Sequence, residues 1–378
     1  MKAPISLLTV LVLSVFSLAC SLTGPIVEAR SGRAAQTRAV PAVASNLSAP
    51  VRPEWKLGSP LKHQNLTVFP VLADQPTTQA DLITLDEGLR LGKVTITELG
   101  ADGRPQTIGR RQMSERAEVN RLALTNTSGK PLVLIAGEMI IGGKQDRIVG
   151  HDCIIESSNT PVPLDVFCVE HGRWSGGAAF GESRPSAGDG NANTDEAIKL
   201  SAPLALPNIR EKAQATKSQE RVWGAVAETV TVVGADSSTG TLNRAYQDKG
   251  INTKLDGYER ALRSKLSDAN VVGVVAAISG KIVSADVFAS HSLFQAYWPK
   301  MLKSYALEAV SATQSEAQTA NRSDAEAFLS RVRGANDADA RGGIYRLKEN
   351  QSTSDASFEL EYTAKTPSLV HFNRVTKK

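Results

Sequence analysis

Two short segments of this chain carry side chains whose types and spacing could do chemistry. Glu138 interrupts an apolar run from Pro131 to Ile141, and Glu170 lies in a second segment that runs from Cys168 to Trp174. Because desolvating a lone carboxylate costs several kcal/mol, Glu138 must be paired, hydrogen-bonded or protonated. Both carboxylates are therefore candidates for general acid or base catalysis, with their pKa values set by a partly buried site.

The residues around the two carboxylates indicate a site for an anion. The sequence GGKQDR at residues 142–147 combines cations with glycines, at which backbone amides can converge on a bound group. The candidate ligand-binding residues are Gly142, Lys144, Gln145, Arg147, Arg173 and Trp174. The segment is not a P-loop, because Gly137 lies one position too far from Gly143 and Gln145 stands where Ser or Thr would hold magnesium. We expect the two segments to be adjacent, with Lys144, Arg147 or Arg173 paired to Glu138.

Several other interpretations use the same residues. The charged groups could form an ion-pair network that joins strands and binds nothing. A nucleophilic pair of Cys168 and His171 needs a break at Gly172, because alternate strand residues share a face and His171 would point away from Cys168. The His, Cys and Glu residues between 151 and 171 match no zinc spacing, so the sequence predicts neither a metal nor another cofactor.

The cysteines pose a separate question. Cys153 and Cys168 flank an expected turn symmetrically, so in an exported protein they could form a cross-strand disulfide, and the alternative is two buried free thiols. His371, like the other isolated histidines, is expected to be a satisfied core or surface residue.

The N-terminus predicts export. Met1 and Lys2 precede an apolar run from Ile5 to Leu18 that suits a signal of the bacterial kind, so residues 1–29 are expected to be a signal cleaved after residue 19 or 29. Cleavage after residue 19 would leave Cys20 for lipidation and anchor the protein to a membrane. Residues 30–54 hold Ala, Ser, Pro and Arg without acids, which predicts a disordered tether. The protein is expected to be periplasmic or otherwise extracytoplasmic.

The periodicity beyond residue 55 favours an α+β fold, in which one large domain has a mainly antiparallel sheet and several packed helices. A capping box at Thr84 and Glu87 predicts a short helix. The expected strands cover 66–72, 94–99, 121–125, 131–141, 146–155, 164–170, 271–288 as a hairpin, 343–347, 358–363 and 369–375; the longer expected helices cover 208–231, 242–266 and 293–305, and another begins at Ser323. We expect hairpin turns at 126–129 and around Asn159, and a mobile loop at 175–198.

Composition excludes some classes of function. The 378 residues carry a formal net charge of +4 and only 5% aromatic residues, so nucleic acid is not an expected partner. No stretch after the N-terminal signal is apolar enough to span a membrane.

Several phrases resemble a known family. GEMIIGGKQDRIV at 137–149 and CVEHGRW at 168–174, supported by NLTVFPV at 65–71, LDEGL at 85–89, VVGVVAAISGKIVSADVF at 271–288 and VHF at 370–372, are similar to the ADP-ribosylglycohydrolase and rhodanese-phosphatase-superfamily-associated protein domain. The resemblance spans about 57–373 and implies one domain, taken as 55–375. It implies an association with ADP-ribose and phosphoester enzymes, whereas the activity of the family itself is not established.

Two classes of function remain compatible with these residues. In the first, which is favoured, the domain binds an anionic small molecule or an envelope component through its Glu, Lys and Arg residues. In the second, it is a hydrolase or transferase that acts on a phosphoester or ADP-ribose-like substrate, with Glu138 or Glu170 as acid or base.

Overall fold

A computed structural model describes residues 55–74, 81–99, 105–106, 120–143, 145–172, 203–235, 238–312, 320–330, 336–338, 343–364 and 366–378. All of them belong to one compact unit, Ser48–Lys378. The strands are β1 Trp55–Leu57, β2 Leu61–His63, β3 Leu66–Ala73, β4 Ile83–Thr84, β5 Val94–Leu99, β6 Pro105–Gln106, β7 Arg121–Asn126, β8 Leu132–Leu134, β9 Met139–Ile140, β10 Arg147–Val149, β11 Cys153–Ile155, β12 Ser158–Cys168, β13 Val271–Ile278, β14 Lys281–Phe288, β15 Asn336–Ala338, β16 Tyr345–Gln351, β17 Asp355–Tyr362 and β18 Ser368–Thr376. The α-helices are α1 Leu85–Arg90, α2 Pro207–Glu211, α3 Gln219–Val233, α4 Leu242–Gln247, α5 Lys249–Leu262, α6 His291–Ser311 and α7 Arg322–Ser330.

The largest sheet is antiparallel and is built around the β13–β14 hairpin. Its order is β1-β3-β13-β14-β18-β17-β16-β15, with β2 paired to β3. The hairpin turns at Ser279 and Gly280, which have φ angles of 48° and 82°, as its two-residue turn requires. This confirms the predicted hairpin, the predicted strand β3 and the three late strands. The predicted α+β class is also confirmed.

Two smaller sheets position the segments singled out from the sequence. One has the order β6-β5-β7-β12-β10-β9, and the other has the order β11-β8-β4. The chain therefore leaves β8 of the second sheet, turns at Gly137 with a φ of 86°, and enters β9 of the first. The single strand predicted over 131–141 was wrong, because this turn divides it.

Helices α2, α6 and α7 pack against the large sheet, whereas α1 packs against β4, β5 and β8 and α3 against β12. Of the described helices, α6 has the most buried residues. Its predicted apolar stripe is confirmed as core, with Phe294, Tyr297, Trp298, Met301 and Tyr305 almost fully buried. The Thr84 cap of α1 is confirmed by a hydrogen bond from the Glu87 N–H.

Several predicted elements differ from the observed ones. The helix predicted over 208–231 is divided by a π-helical turn, Lys212–Thr216, and by Lys217, which adopts a left-handed φ of 51°. The helix predicted over 242–266 breaks at Asp248, whose carboxylate caps α5. The cap of α7 is Asn321, which accepts from Ser323 N–H, and not Ser323 as predicted.

The predicted hairpin of 121–125 with 131–141 was wrong, because β7 pairs with β5 and β12 while β8 pairs with β11 and β4. The turn predicted around Asn159 was also wrong, since Asn159 lies within β12, but the antiparallel pairing expected between 146–155 and 164–170 is present between β10 and β12. The strand predicted over 146–155 is divided into β10 and β11. Among the described residues, no helix combines the length and apolar composition needed to cross a bilayer. The expected signal, the tether and the 175–198 loop lie outside the described residues.

Candidate functional site

The two predicted segments meet where β10 pairs with the end of β12. Arg147 is opposite Cys168 in the antiparallel register. Gln145 Nε2 donates to Glu170 O at 2.8 Å, and the Asp146 N–H donates to Glu170 Oε2 at 3.0 Å. The expected adjacency of the segments is therefore confirmed for their described residues.

The turn between β9 and β10 is held by Asp146. Gly142 and Gly143 have positive φ angles of 111° and 59°, which residues with a Cβ rarely adopt. The Gly142 N–H donates to Asp146 Oδ1 at 3.0 Å, and Thr241 Oγ1 donates to Asp146 Oδ2 at 2.7 Å. This carboxylate thus fixes the glycine-rich turn against the start of α4.

Gln145 is buried, with only 3% of its surface exposed. Its Nε2 is anchored on Glu170 O, whereas its Oε1 has no hydrogen-bond partner among the described residues. A buried acceptor without a donor is unusual in a folded protein and calls for an explanation. Of the predicted ligand-binding side chains that the structure describes, Gln145 is the one with unused hydrogen-bonding capacity.

Arg147 has a different environment from the expected one. Its guanidinium is fully buried and donates from Nη1 and Nη2 to the two carboxylate oxygens of Glu98 on β5, each at 3.1 Å. Such a bidentate pair satisfies both charges. The expectation that Arg147 pairs with Glu138 was wrong, because Arg147 joins β10 to β5.

Glu138 has its cation from α6. Lys300 Nζ lies 2.9 Å from Glu138 Oε1, and Glu138 Oε2 accepts from the Ile135 N–H at 2.9 Å and from the Tyr297 hydroxyl at 3.3 Å. Only 1% of Glu138 and 4% of Lys300 is exposed. Lys300 also lies 2.8 Å from Asp86 Oδ2, and Asp86 is partly exposed. The predicted need for a partner was right, and α6 supplies it.

Burial and charge shift these groups in opposite senses. Burial raises the pKa of Glu138, and Lys300 opposes that rise. Burial would by itself lower the pKa of Lys300, but Glu138 and Asp86 together raise it, so Lys300 is protonated at neutral pH. The carboxylate is closed in by Lys300, Tyr297 and backbone.

A second buried charge cluster was not predicted. Asp286 on β14 receives Arg210 Nη2 at 2.6 Å, and His371 Nδ1 donates to Asp152 Oδ2 at 2.6 Å. His371 Nε2 faces Asp286 Oδ1 at 3.4 Å, and all four side chains are fully buried. Tyr305 donates its hydroxyl to Asp286 as well.

This second cluster, Asp152, Arg210, Asp286 and His371, balances two carboxylates with two cations. Burial favours the neutral imidazole, but Asp152 and Asp286 outweigh it and raise the pKa of His371 to about 9. Although burial opposes the charged form, Arg210 and His371 hold the pKa of Asp286 well below its usual range. The cluster joins β14, β18 and α2, which is a structural role.

The cysteines are not cross-linked. Cys153 and Cys168 are both buried and form no disulfide, so the disulfide alternative was wrong and the alternative of two buried thiols holds. They lie on strands of different sheets, because β11 pairs with β8 while β12 pairs with β10. Burial raises the pKa of Cys168 to about 11, which argues against a thiolate nucleophile at neutral pH.

Sequence reasoning missed Lys300, Glu98, Asp86 and the second cluster. Lys300 had a detectable signal, since a lysine three residues after Tyr297 lies on the core face of an amphipathic helix. His371 lies in an apolar stretch, and it is confirmed as a satisfied core residue.

Cys20, Lys144, Arg173 and Trp174 lie outside the described residues. In the part of the chain that the structure describes, no group of three or more His, Cys, Asp or Glu could hold a metal ion.

Comparison with known proteins identifies the family and no individual relative. No curated protein and no solved structure matches the chain. A family model does match residues 54–375, which is most of the chain and includes both segments of the candidate site. The chain therefore belongs to the ARG and Rhodanese-Phosphatase-superfamily-associated Protein domain family.

Proposed function

We propose that this protein is an exported or lipid-tethered binding domain for a small anionic molecule or envelope component that also carries hydroxyl groups, such as a sugar phosphate. The proposed site lies at the turn between β9 and β10, against the end of β12. The observation that carries the proposal is the buried Oε1 of Gln145, which lacks a donor among the described residues.

The geometry of Gln145 gives this oxygen a fixed direction. Its Nε2 is held by Glu170 O at 2.8 Å, so the amide cannot turn its oxygen away without losing that bond. Leaving a buried acceptor unpaired costs about 1–3 kcal/mol. A ligand hydroxyl that donated to Oε1 would recover this cost, whereas a fully ionised anion without hydroxyl groups could not.

The negative charge of the proposed ligand is inferred from two cationic residues that stand next to the site in the sequence. Lys144 directly precedes Gln145, and Arg173 directly follows Gly172, so each segment contributes one cation besides Arg147. Arg147 is not proposed as a contact, because Glu98 already occupies both of its terminal nitrogens.

Binding is favoured over hydrolysis by the state of the acidic groups. Glu138 is closed in by Lys300 and Tyr297, and Glu170 already accepts the Asp146 N–H with one carboxylate oxygen. A general acid or base must reach the reacting group within hydrogen-bond distance. The hydrolase or transferase alternative therefore ranks second.

The proposed location rests on sequence alone. Residues 1–29 have the charge and apolar pattern of an export signal, and Cys20 offers a lipid attachment point after cleavage. The ligand would then be a molecule present outside the cytoplasm, where cell-envelope components are available.

Thermal shift of the protein with a ligand panel tests the proposal. The panel contains inorganic phosphate, ribose 5-phosphate, ADP-ribose and soluble cell-wall fragments. A bound ligand at a hundredfold excess over its Kd stabilises by about 2.7 kcal/mol. We expect ribose 5-phosphate or a cell-wall fragment to raise the Tm, and the variant Gln145→Met to lose that rise.

Gln219→Met is the matched control. Gln219 also uses its amide at the end of β12, accepting from Cys168 N–H and donating to Cys168 O, but its oxygen is satisfied. This variant should lower the Tm of the free protein and keep the ligand-induced rise. No rise with any panel member, or an equal rise in Gln145→Met, would overturn the proposal. Turnover that disappears in Glu170→Gln would favour the enzyme alternative.

A further inference from the structure

An open cavity of about 740 Å³ lies where the π-helical turn meets the end of β18 and the turn between β16 and β17. Its wall has one acidic side chain, that of Glu211, and four cationic side chains, those of Lys212, Arg221, Lys377 and Lys378. Apart from Ala215, the other lining residues carry hydroxyl or amide groups. The cavity shares no lining residue with the site proposed at the turn between β9 and β10.

Two of the four cations have a carboxylate of their own. Lys212 Nζ lies 2.6 Å from Glu211 Oε2, and Lys378 Nζ lies 2.5 Å from Glu308 Oε1. Lys212 Nζ also donates to the main-chain oxygen of Lys378 at 2.8 Å. These contacts offset the charges of Lys212 and Lys378.

The other two cations are not paired with a carboxylate among the described residues. Lys377 Nζ donates to Gln351 Oε1 at 3.1 Å and to Ser352 O at 2.8 Å, and both acceptors are neutral. The Arg221 N–H donates to Ser218 Oγ, but its guanidinium has neither a hydrogen bond nor an ion pair within the described part of the chain. The cavity wall therefore carries positive charge that the described side chains do not neutralise.

The backbone beside the cavity is held in unusual conformations. The π-helical turn, Lys212–Thr216, is of a kind that is rare and occurs frequently at functional sites. Lys217 follows it with a φ of 51°, a conformation that is costly for a residue with a Cβ. Lys212 and Arg221 lie on opposite sides of this interruption and line the same cavity. Gathered cations and a strained backbone do not favour stability by themselves, and both are typical of a binding site.

We propose that this cavity binds a small molecule through a doubly charged phosphate group. Arg221 can hold two phosphate oxygens at once, and Lys377 can donate a charge-assisted hydrogen bond to the group. The Ser218 hydroxyl accepts from the Arg221 N–H and keeps its own hydrogen to donate. The volume leaves room for the organic part of a phosphate ester.

The charge of the ligand follows from the two unpaired cations. A phosphate monoester is a dianion above its second pKa of about 6, so it can neutralise both Arg221 and Lys377. A carboxylate, or the phosphodiester of a lipid headgroup, carries one negative charge and would leave one of the two cations unmatched.

Isothermal titration calorimetry of the whole protein at pH 8 and low salt tests the inference. The probe is phenyl phosphate, and the comparison ligand is phenyl sulfate, which has a similar shape and one negative charge less. We expect phenyl phosphate to bind about tenfold more tightly or better, the effect of one additional charge-assisted hydrogen bond. Equal affinities, or no binding of phenyl phosphate, would overturn the proposal.

Matched variants then locate the binding. Arg221→Gln and Lys377→Met should each weaken phenyl phosphate about tenfold or more. Arg260→Gln removes the same charge at an exposed position on α5 and should leave the affinity unchanged. Since Arg221 has no side-chain partner among the described residues, Arg221→Gln should also keep the Tm of the free protein. Equal weakening by Arg221→Gln and Arg260→Gln would overturn the proposal, because it would indicate an effect of net charge alone.

Two further measurements separate this cavity from the alternatives. Gln145→Met should leave phenyl phosphate binding unchanged, because this ligand has no hydroxyl group to donate to Gln145. Loss of binding in Gln145→Met but not in Arg221→Gln would overturn this inference and leave the proposed function standing. Sedimentation with phosphatidylglycerol vesicles tests a membrane surface as the source of phosphate. Vesicle binding that Arg221→Gln abolishes, without binding of phenyl phosphate, would overturn the proposal in favour of a lipid headgroup.

Discussion

Replacing Lys300 with methionine is expected to destabilise the protein by about 3–5 kcal/mol at pH 8. The substitution keeps most of the apolar stem of the side chain and removes the ammonium group. It leaves Glu138, which is only 1% exposed, without the cation that the folded protein places beside it.

The magnitude follows from the contacts of the ammonium group. Lys300 Nζ lies 2.9 Å from Glu138 Oε1 and 2.8 Å from Asp86 Oδ2. At an effective dielectric constant of about 20, the pair with Glu138 alone attracts by about 6 kcal/mol. Removing Lys300 also removes the cost of burying its charge, which offsets part of that loss. Glu138 keeps its hydrogen bonds from Ile135 and Tyr297, so the net cost falls in the range for a broken buried pair.

The cost should depend on pH in a defined direction. Burial already raises the pKa of Glu138 above its ordinary value of 4.5, and Lys300 opposes that rise. Without Lys300 the pKa of Glu138 in the folded state should rise further. The folded variant then binds a proton more tightly than the unfolded chain does, so its stability increases as the pH falls. The destabilisation should therefore be smaller at pH 5 than at pH 8.

Urea unfolding, followed by far-ultraviolet circular dichroism at both pH values, measures the effect. Lys303→Met is the control, because Lys303 lies on the same helix, is 37% exposed and meets Glu259 Oε2 at 3.8 Å. Its cost should be less than about 1 kcal/mol. The double variant Glu138→Gln with Lys300→Met should be more stable than Lys300→Met alone. The reasoning fails if Lys300→Met costs no more than Lys303→Met, or if its cost is the same at both pH values.

Three further predictions concern the buried groups. The pKa of His371 is raised from 6.5 to about 9. The stabilisation that its protonated imidazole gives the folded state should therefore be complete below pH 6.5 and lost as the pH rises through 9. The variant His371→Asn should not show this fall of about 3 kcal/mol in the free energy of unfolding. Iodoacetamide at pH 8 should leave Cys153 and Cys168 unmodified in the folded protein. It should label both of them in denaturant without reductant, and peptide mapping would check this. A pair joined by a disulfide would stay unlabelled under the same conditions. Gly137→Ala should cost about 2–3 kcal/mol by urea unfolding, because its Cβ would lie 2.5 Å from a neighbouring arginine side chain and its φ is 86°. At Gly92, where φ is also positive but the space is open, the same change should cost only about 1 kcal/mol.

The sequence by itself determined much of the local structure. The apolar runs around the Ser279 and Gly280 turn predict a hairpin because a two-residue turn with positive φ angles needs residues of that kind. The core face of α6 follows from its helical spacing, and the need of Glu138 for a partner follows from its apolar neighbours. These features depend on residues close together in the chain, so periodicity and composition reveal them.

The tertiary structure decided which groups meet. The chain passes between the two smaller sheets three times, between β7 and β8, at Gly137 and between β10 and β11. As a result β7 and β8 do not form the expected hairpin, and Cys153 and Cys168 lie on strands of different sheets. The cation for Glu138 comes from α6, more than a hundred and fifty residues away, and Arg147 is matched by Glu98 on a neighbouring strand. Local patterns contain no information on such distant pairs, because each charge requires a partner of opposite sign but not a partner at any particular position. Packing of the helices and sheets selects that partner, and it leaves Gln145 with an acceptor that the described part of the fold does not satisfy.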